Sequence, residues 1–348
     1  MSGNTGWTGW TGWTGWTGWT GWTGWTGWTG AGAGGSNDLM TAQAIIIHGG
    51  AINGSQPWTV VPPLPLPLDN EAAFSKWSAA VRRNVALVEL LRGLDFTPEG
   101  TGTIAVKAAN LVIAKLTRPG PTNADWTACL IAQLRKVEGM ASERATRLPE
   151  IQAQLDGGLP FLMSAAHLQP GRHRAALELV DLAAGFASLV CQRTKHALNV
   201  PRPASMSPLV LPPIPTPEHG AFPSGHATES FAMAYVLGKL RPGYETPLWR
   251  AAHRIAANRT VAGLHYPIDS EAGRALGRSL GEYFVHRCAG SAGPAWFARE
   301  YSASAGDEFA LATPPVTLVQ TAVDAAPGPV PMLAWLWQQA TNGLAAEG

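Results

Sequence analysis

The run RHRAALELVDLAAGFASLVCQRTKHAL, residues 172–198, constrains the chain more than any other segment. It holds no proline, Leu179, Leu182, Phe186 and Val190 recur at spacings of three and four, and it is too long for a strand. It reads as one long helix. Such a helix is stable only when its apolar stripe packs on others. The chain supplies companions at 69–93, 101–117, 122–148, 224–240 and 269–288, with Asp/Asn starts and Gly stops at several ends. The segment SPLVLPPIPTPEHGAF, residues 207–222, is a proline-rich loop between two of them. The expected fold class is mainly α, a helical bundle.

The remaining chain is unlike this bundle. Residues 1–36 are low in complexity and contain eight successive Gly-Trp-Thr copies. A period of three fits neither an α-helix nor a strand with one apolar face, but it fits an extended helix of three residues per turn. Eight tryptophans also present more apolar surface than a soluble monomer shows, so self-association follows. The expectation is an N-terminal multimerisation stem forming a homo-oligomer, a trimer first. Residues 37–69 read as an extended proline-rich connector, 70–304 as the helical catalytic domain and 305–348 as an Ala/Pro-rich C-terminal tail.

Of the 348 residues 14% are charged and 46% hydrophobic, with a net charge of +1. That balance gives no electrostatic reason to expect nucleic acid as a partner. Cys129, Cys191 and Cys288 are odd in number and widely spaced, so free buried thiols are expected. No signal peptide pattern and no window of 18 uncharged apolar residues is read, so no membrane span is expected. The location is cytoplasmic by default, with an extracellular fibrous assembly as the alternative.

Chemistry concentrates in three segments: KHALNVPRP with Lys195 and Arg202, FPSGHAT with Ser224, Gly225 and His226, and NRTVAGLHYPID with Arg259, His265 and Asp269. Three cations in a sparsely charged helical chain need partners when buried, and few acids lie near them in sequence. A tetrahedral oxyanion satisfies all three. A helix starting at Ser224 points its free N–H groups at such an anion, and Gly225 lets the backbone approach. His226 and His265 are left to move protons or to bond the central atom. Asp269, four residues after His265, can fix its tautomer.

These residues resemble the signature of the vanadium-dependent haloperoxidases and the type 2 phosphatidic acid phosphatase superfamily. Lys195, Arg202-Pro203, Pro223-Ser224-Gly225-His226, Arg259, His265 and Asp269 match it in order and spacing. Asn258 stands where the family usually has Ser, a small polar exchange expected to do little damage.

The haloperoxidase side of the resemblance implies a vanadate cofactor. His265 would bind the metal, and Lys195, Arg202, Ser224, Gly225 and Arg259 would hold its oxygens. His226 would take the proton of hydrogen peroxide, and Lys195 would polarise the peroxide for halide attack. His219 takes the position that is His in bromoperoxidases and Phe in the fungal-type chloroperoxidase, which implies bromide or iodide over chloride. The phosphatase side implies phosphate in the same site, His265 as nucleophile and His226 as acid. The expected function is a haloperoxidase oxidising halide for a small organic acceptor. A soluble acid phosphatase and a non-catalytic assembly protein are the alternatives.

Overall fold

A computed structural model of the chain describes residues 64–67, 69–120, 123–289, 296–311, 317–320 and 327–346. Residues Asp69–Gly348 form one compact unit, and Met1–Leu68 group apart from it. The triplet repeat and most of the connector lie outside the described residues.

Nine helices of seven or more residues are found among the described residues: α1 Ala79–Leu91, α2 Asn123–Gly139, α3 Arg144–Ala153, α4 Leu159–Ala165, α5 Arg174–Leu198, α6 Gly225–Leu240, α7 Glu245–Val261, α8 Pro267–Ala289 and α9 Pro331–Ala345. The fold is mainly helical. At its centre α6 is packed by α5, α7 and α8. Nearly every residue of α8 is buried, so it shows little amphipathic contrast. The stretch Arg174–Met206, which contains α5, is long and apolar enough to cross a membrane by composition. Most of it is buried inside the protein, against α6, α9 and α1.

The close fit of α8 against α6 depends on small residues. A Cβ on Gly277 would stand 2.2 Å from the Thr228 carbonyl oxygen, and one on Gly273 would stand 2.7 Å from that of Ser224. Two glycines one turn apart thus let the N-terminal half of α6 lie against α8, backbone to backbone.

A five-stranded sheet, not expected from the sequence, accompanies the mainly helical fold: β1 Leu94–Pro98, β2 Thr103–Ala108, β3 Leu111–Thr117, β4 Phe297–Ser302 and β5 Thr317–Gln320, in that order. All neighbours are antiparallel except β3 and β4. Residues 101–117, expected as a helix, form the hairpin β2–β3 instead. Ala109 and Asn110 both take positive φ, 48° and 70°, the backbone of a two-residue hairpin turn. Thr103, Ile104, Val106, Val112 and Ile113 are β-branched and favour strands. The sheet packs on α8 through β3 and β4. Glu282 of α8 anchors β4, its carboxylate accepting from both Arg299 guanidinium ends at 2.8 and 2.9 Å and from the Phe297 N–H at 2.8 Å.

The segment expected as a tail also belongs to this unit. From it come β5 and α9, whose Met332, Leu333, Leu336 and Ala340 are buried against α5 and α8. Proline at its first helical position starts α9, which its composition did not advertise.

Candidate functional site

Lys195 lies in the last turn of α5, 1% exposed. The helix stops because Asn199 turns left-handed, with φ of 45°, and Pro201 follows. The chain then runs extended through Arg202, and the proline-rich loop 207–222 returns beneath both cations. Lys195 Nζ donates to the carbonyls of Gly220 and Ala221 at 2.9 and 3.0 Å. Arg202 Nε donates to the His219 carbonyl at 3.0 Å, and Nη1 to that of Leu264 at 2.9 Å. Arg202 Nη2 reaches His219 Nδ1 at 3.2 Å, so His219 lies against this cation with its ring partly open to solvent.

His265 is held from both ends. Nε2 is 3.0 Å from Arg202 Nη1, and Nδ1 is 3.1 Å from Asp269 Oδ2. Arginine can only donate, so Nε2 carries the lone pair and Nδ1–H donates to the carboxylate. Burial, followed by the nearby cations Arg202 and Lys195, pushes the His265 pKa well below its ordinary value and keeps the ring neutral. Asp269 Oδ2 also accepts from the Tyr266 N–H at 2.8 Å, while the Asp269 carbonyl accepts from Ser224 N–H at 2.8 Å. One residue therefore orients His265 and ties down the start of α6. Burial raises the Asp269 carboxyl, and the Tyr266 N–H and the two cations pull it back.

Ser224 caps α6, its Oγ accepting from Ala227 N–H. The N–H groups of Gly225 and His226 fall in the first turn, where a helix offers them no internal partner. His226 Nε2 is 2.9 Å from the Gln154 carbonyl, which makes Nε2–H the donor and leaves Nδ1 as the basic atom. Burial and then Arg259 lower its pKa to about 4.

Arg259, 1% exposed, lies in the last turn of α7. Its Nη2 donates to the Ile151 carbonyl at 3.0 Å and to Gln154 Oε1 at 3.1 Å. Its Nε and Nη1 are buried with no partner among the described residues. Burial lowers the pKa of both Arg259 and Arg202 to about 10, which leaves them charged at neutral pH.

The nine residues singled out from the sequence thus converge from α5, the loop, α6, α7 and α8. Hydrogen bonds link Lys195, Arg202, His219, His265, Asp269 and Ser224 in one group. His226 and Arg259 are tied to each other through Gln154; the charge of Arg259 acts on His226, and that of His226 on His265. Asp269, Glu229 (one turn along α6 from Gly225) and Glu150 are the acids near these cations, and Glu150 is already held by Arg254, so the cluster suits an oxyanion. Sequence reasoning missed Gln154 and Glu229, which carry no motif spacing. It also missed the bridging role of Asn258, whose Oδ1 accepts from Arg147 at 3.2 Å and whose Nδ2 donates to Gln154 at 3.0 Å. A serine would have to serve both partners from a single, shorter-reaching oxygen.

The chain is similar to known proteins over part of its length. The decaprenylphosphoryl-5-phosphoribose phosphatase of Mycobacterium tuberculosis (strain CDC 1551 / Oshkosh) is 30% identical over 125 residues, which are 36% of this chain and 68% of that protein. The protein of the same name from strain ATCC 25618 / H37Rv gives the same figures. Among solved structures, the first bacterial vanadium-dependent iodoperoxidase aligns with a TM-score of 0.38 at 20% identity, over 46% of this chain and 49% of that one. The chain therefore spans about half of the iodoperoxidase. The sequence profile of the PAP2 superfamily matches residues 178–289, from the first turns of α5 to the end of α8. These are the helices that carry the cluster, and the chain belongs to the PAP2 superfamily, whose members include phosphatases and haloperoxidases.

Proposed function

We propose that the chain is a phosphatase, hydrolysing a phosphate monoester through His265. The observation that carries this reading is Arg259, whose buried Nε and Nη1 have no partner among the described residues and whose charge acts on His226, beside a neutral, Asp269-backed His265. An oxyanion supplies that partner. The resemblance to the mycobacterial phosphatase favours phosphate as the oxyanion.

In this reading Lys195, Arg202, Arg259 and the first N–H groups of α6 hold the phosphoryl oxygens and stabilise the charge that builds during transfer. Arg202 redirects its Nη1–H hydrogen bond from His265 Nε2 to the oxyanion and keeps the proton, which frees the lone pair. Nε2 attacks phosphorus and the ester P–O bond breaks. The alcohol leaves with a proton from His226 Nδ1, and a phosphohistidine remains. Water then attacks the phosphorus as the bond to His265 Nε2 breaks, His226 Nδ1 takes the water's proton, and inorganic phosphate departs. The His226 pKa of about 4 belongs to the cation-rich site alone, and a bound dianion raises it into the working range.

The contact of His219 with Arg202 favours a second reading, the vanadate-dependent haloperoxidase. The fit is the same, because vanadate and phosphate share charge and shape. His265 would hold vanadium, and Lys195, Arg202, Ser224, Gly225 and Arg259 the oxygens. Bound vanadate supplies a Lewis acid that activates hydrogen peroxide toward halide. For this chain, Lys195 and His226 would position and move the proton, and His219 would bias the halide.

Release of phosphate from p-nitrophenyl phosphate tests the first reading. His265→Ala is expected to lower it by about 10³-fold or more, and release undiminished in this variant would sink the assignment. Bromination of a phenolic dye that requires added vanadate and peroxide would move the assignment to the second reading. The homo-oligomer expected from residues 1–36 is likewise a proposal, carried by the eight tryptophans of the repeat.

A further inference from the structure

We infer that Gln154 is a positioning residue for oxyanion binding, acting through Arg259, with Asn258 holding its amide in place. This rests on the reading of the cluster as an oxyanion site. Gln154 caps the end of α3 and is fully buried. Its side-chain oxygen accepts from Arg259 Nη2 at 3.1 Å and from Asn258 Nδ2 at 3.0 Å. Its side-chain nitrogen donates to Glu150 Oε1 at 3.1 Å, and Glu150 is itself bound by Arg254 through Nε at 3.0 Å and Nη2 at 2.8 Å. The amide therefore has only one orientation that satisfies its neighbours.

The consequence falls on the Arg259 guanidinium. A guanidinium is a rigid planar fork. With Nη2 fixed between Gln154 Oε1 and the Ile151 carbonyl, the plane is set, and Nε and Nη1 stay buried with no partner among the described residues. The same residue fixes His226 by a different atom, its backbone carbonyl. Two site residues 33 positions apart, on different helices, thus share one anchor. Its side chain controls the cation, and its main chain controls the histidine tautomer.

That division makes the inference separable. Gln154→Ala removes the hold on Arg259 but keeps the carbonyl for His226. Titration of the full chain with inorganic phosphate in a calorimeter is expected to show binding about ten-fold weaker in Gln154→Ala, the size of one lost hydrogen bond to a charged group. In an Arg259→Ala background the same change is expected to cost less than about two-fold, because its target is gone. The pH limb of kcat that reports His226 is expected to stay in place. Asn258→Ala, which loosens the amide and also releases Arg147, gives the same pattern at about three-fold and serves if Gln154→Ala does not fold. Unchanged phosphate affinity in Gln154→Ala, an equal loss in both backgrounds, or a His226 limb displaced by a pH unit would each overturn the inference. If the wild-type chain binds no phosphate, or Arg259→Ala binds as well as wild type, the oxyanion reading itself fails and the inference falls with it.

Discussion

Glu229 lies one turn beyond Gly225 on α6, its Oε1 3.8 Å from the point where a Gly225 Cβ would stand. Burial raises its pKa to about 7, while a hydrogen bond from Ser188 and the charge of Lys195 pull it down. The carboxyl is neutral below that pH and negative above it, so a rising pH adds a negative charge beside the cation that receives the oxyanion. The ratio of phosphate dissociation constants, wild type over Glu229→Gln, should therefore grow about three- to ten-fold between pH 6 and pH 8. Taking the ratio cancels the titration of phosphate itself, and a flat ratio would refute the role. At this scale legibility divides cleanly. Lys195, Arg202, His226, His265 and Asp269 could be found because their order and spacing are fixed by helix ends. Gln154 and Glu229 could not, because their partners are far away in sequence or meaningful only in three dimensions. Asn258 looked interchangeable with serine, since one sequence does not show that two side chains, Arg147 and Gln154, meet at its amide.

The helices α2, α5, α6 and α8 were legible from their apolar periodicity and end signals, whereas the hairpin β2–β3 was not. Its Ala and Lys content suggested a helix, and its turn is Ala-Asn rather than the Asn-Gly that announces a hairpin. Helix α7 was passed over although it delivers Arg259. Periodicity also says nothing about which helix will be approached closely. Gly277 looks like a weak point in α8 until Thr228 is seen against it. Gly277→Ala places a methyl against a backbone carbonyl that cannot rotate away, so α6 must shift and carry Ser224 and His226 with it. The expected cost is about 1–3 kcal/mol, seen as a lower thermal midpoint together with reduced phosphate release. Gly139→Ala, at the exposed end of α2 with open space around the new methyl, is the control and should leave the midpoint unchanged or slightly raised. Equal midpoints for the two variants would mean that the glycine pair does not set the helix spacing.

For the molecule as a whole, residues 69–348 are one unit in which the C-terminal helix closes over α5, and the site draws on four helices and a loop. The sequence announced this bundle but not its sheet or its closing helix, because neither carries a long periodic pattern. The repeat makes its own claim on the assembly. Removal of residues 1–36 is expected to reduce the mass measured by light scattering to that of one chain, and an oligomer of unchanged size would dismiss the repeat as its cause. The four carbonyls around Lys195 and Arg202 bear on how this molecule works in the steady state. The oxygens of His219, Gly220, Ala221 and Leu264 already occupy these two cations. On the oxyanion reading, an arriving anion competes with these carbonyls at Lys195 and Arg202 and makes wholly new hydrogen bonds at Arg259 and the first N–H groups of α6. Part of association is then a ligand exchange, which lowers its net enthalpy. On the phosphatase reading the carbonyls return as product leaves, an arrangement suited to cycling rather than to sequestering the anion.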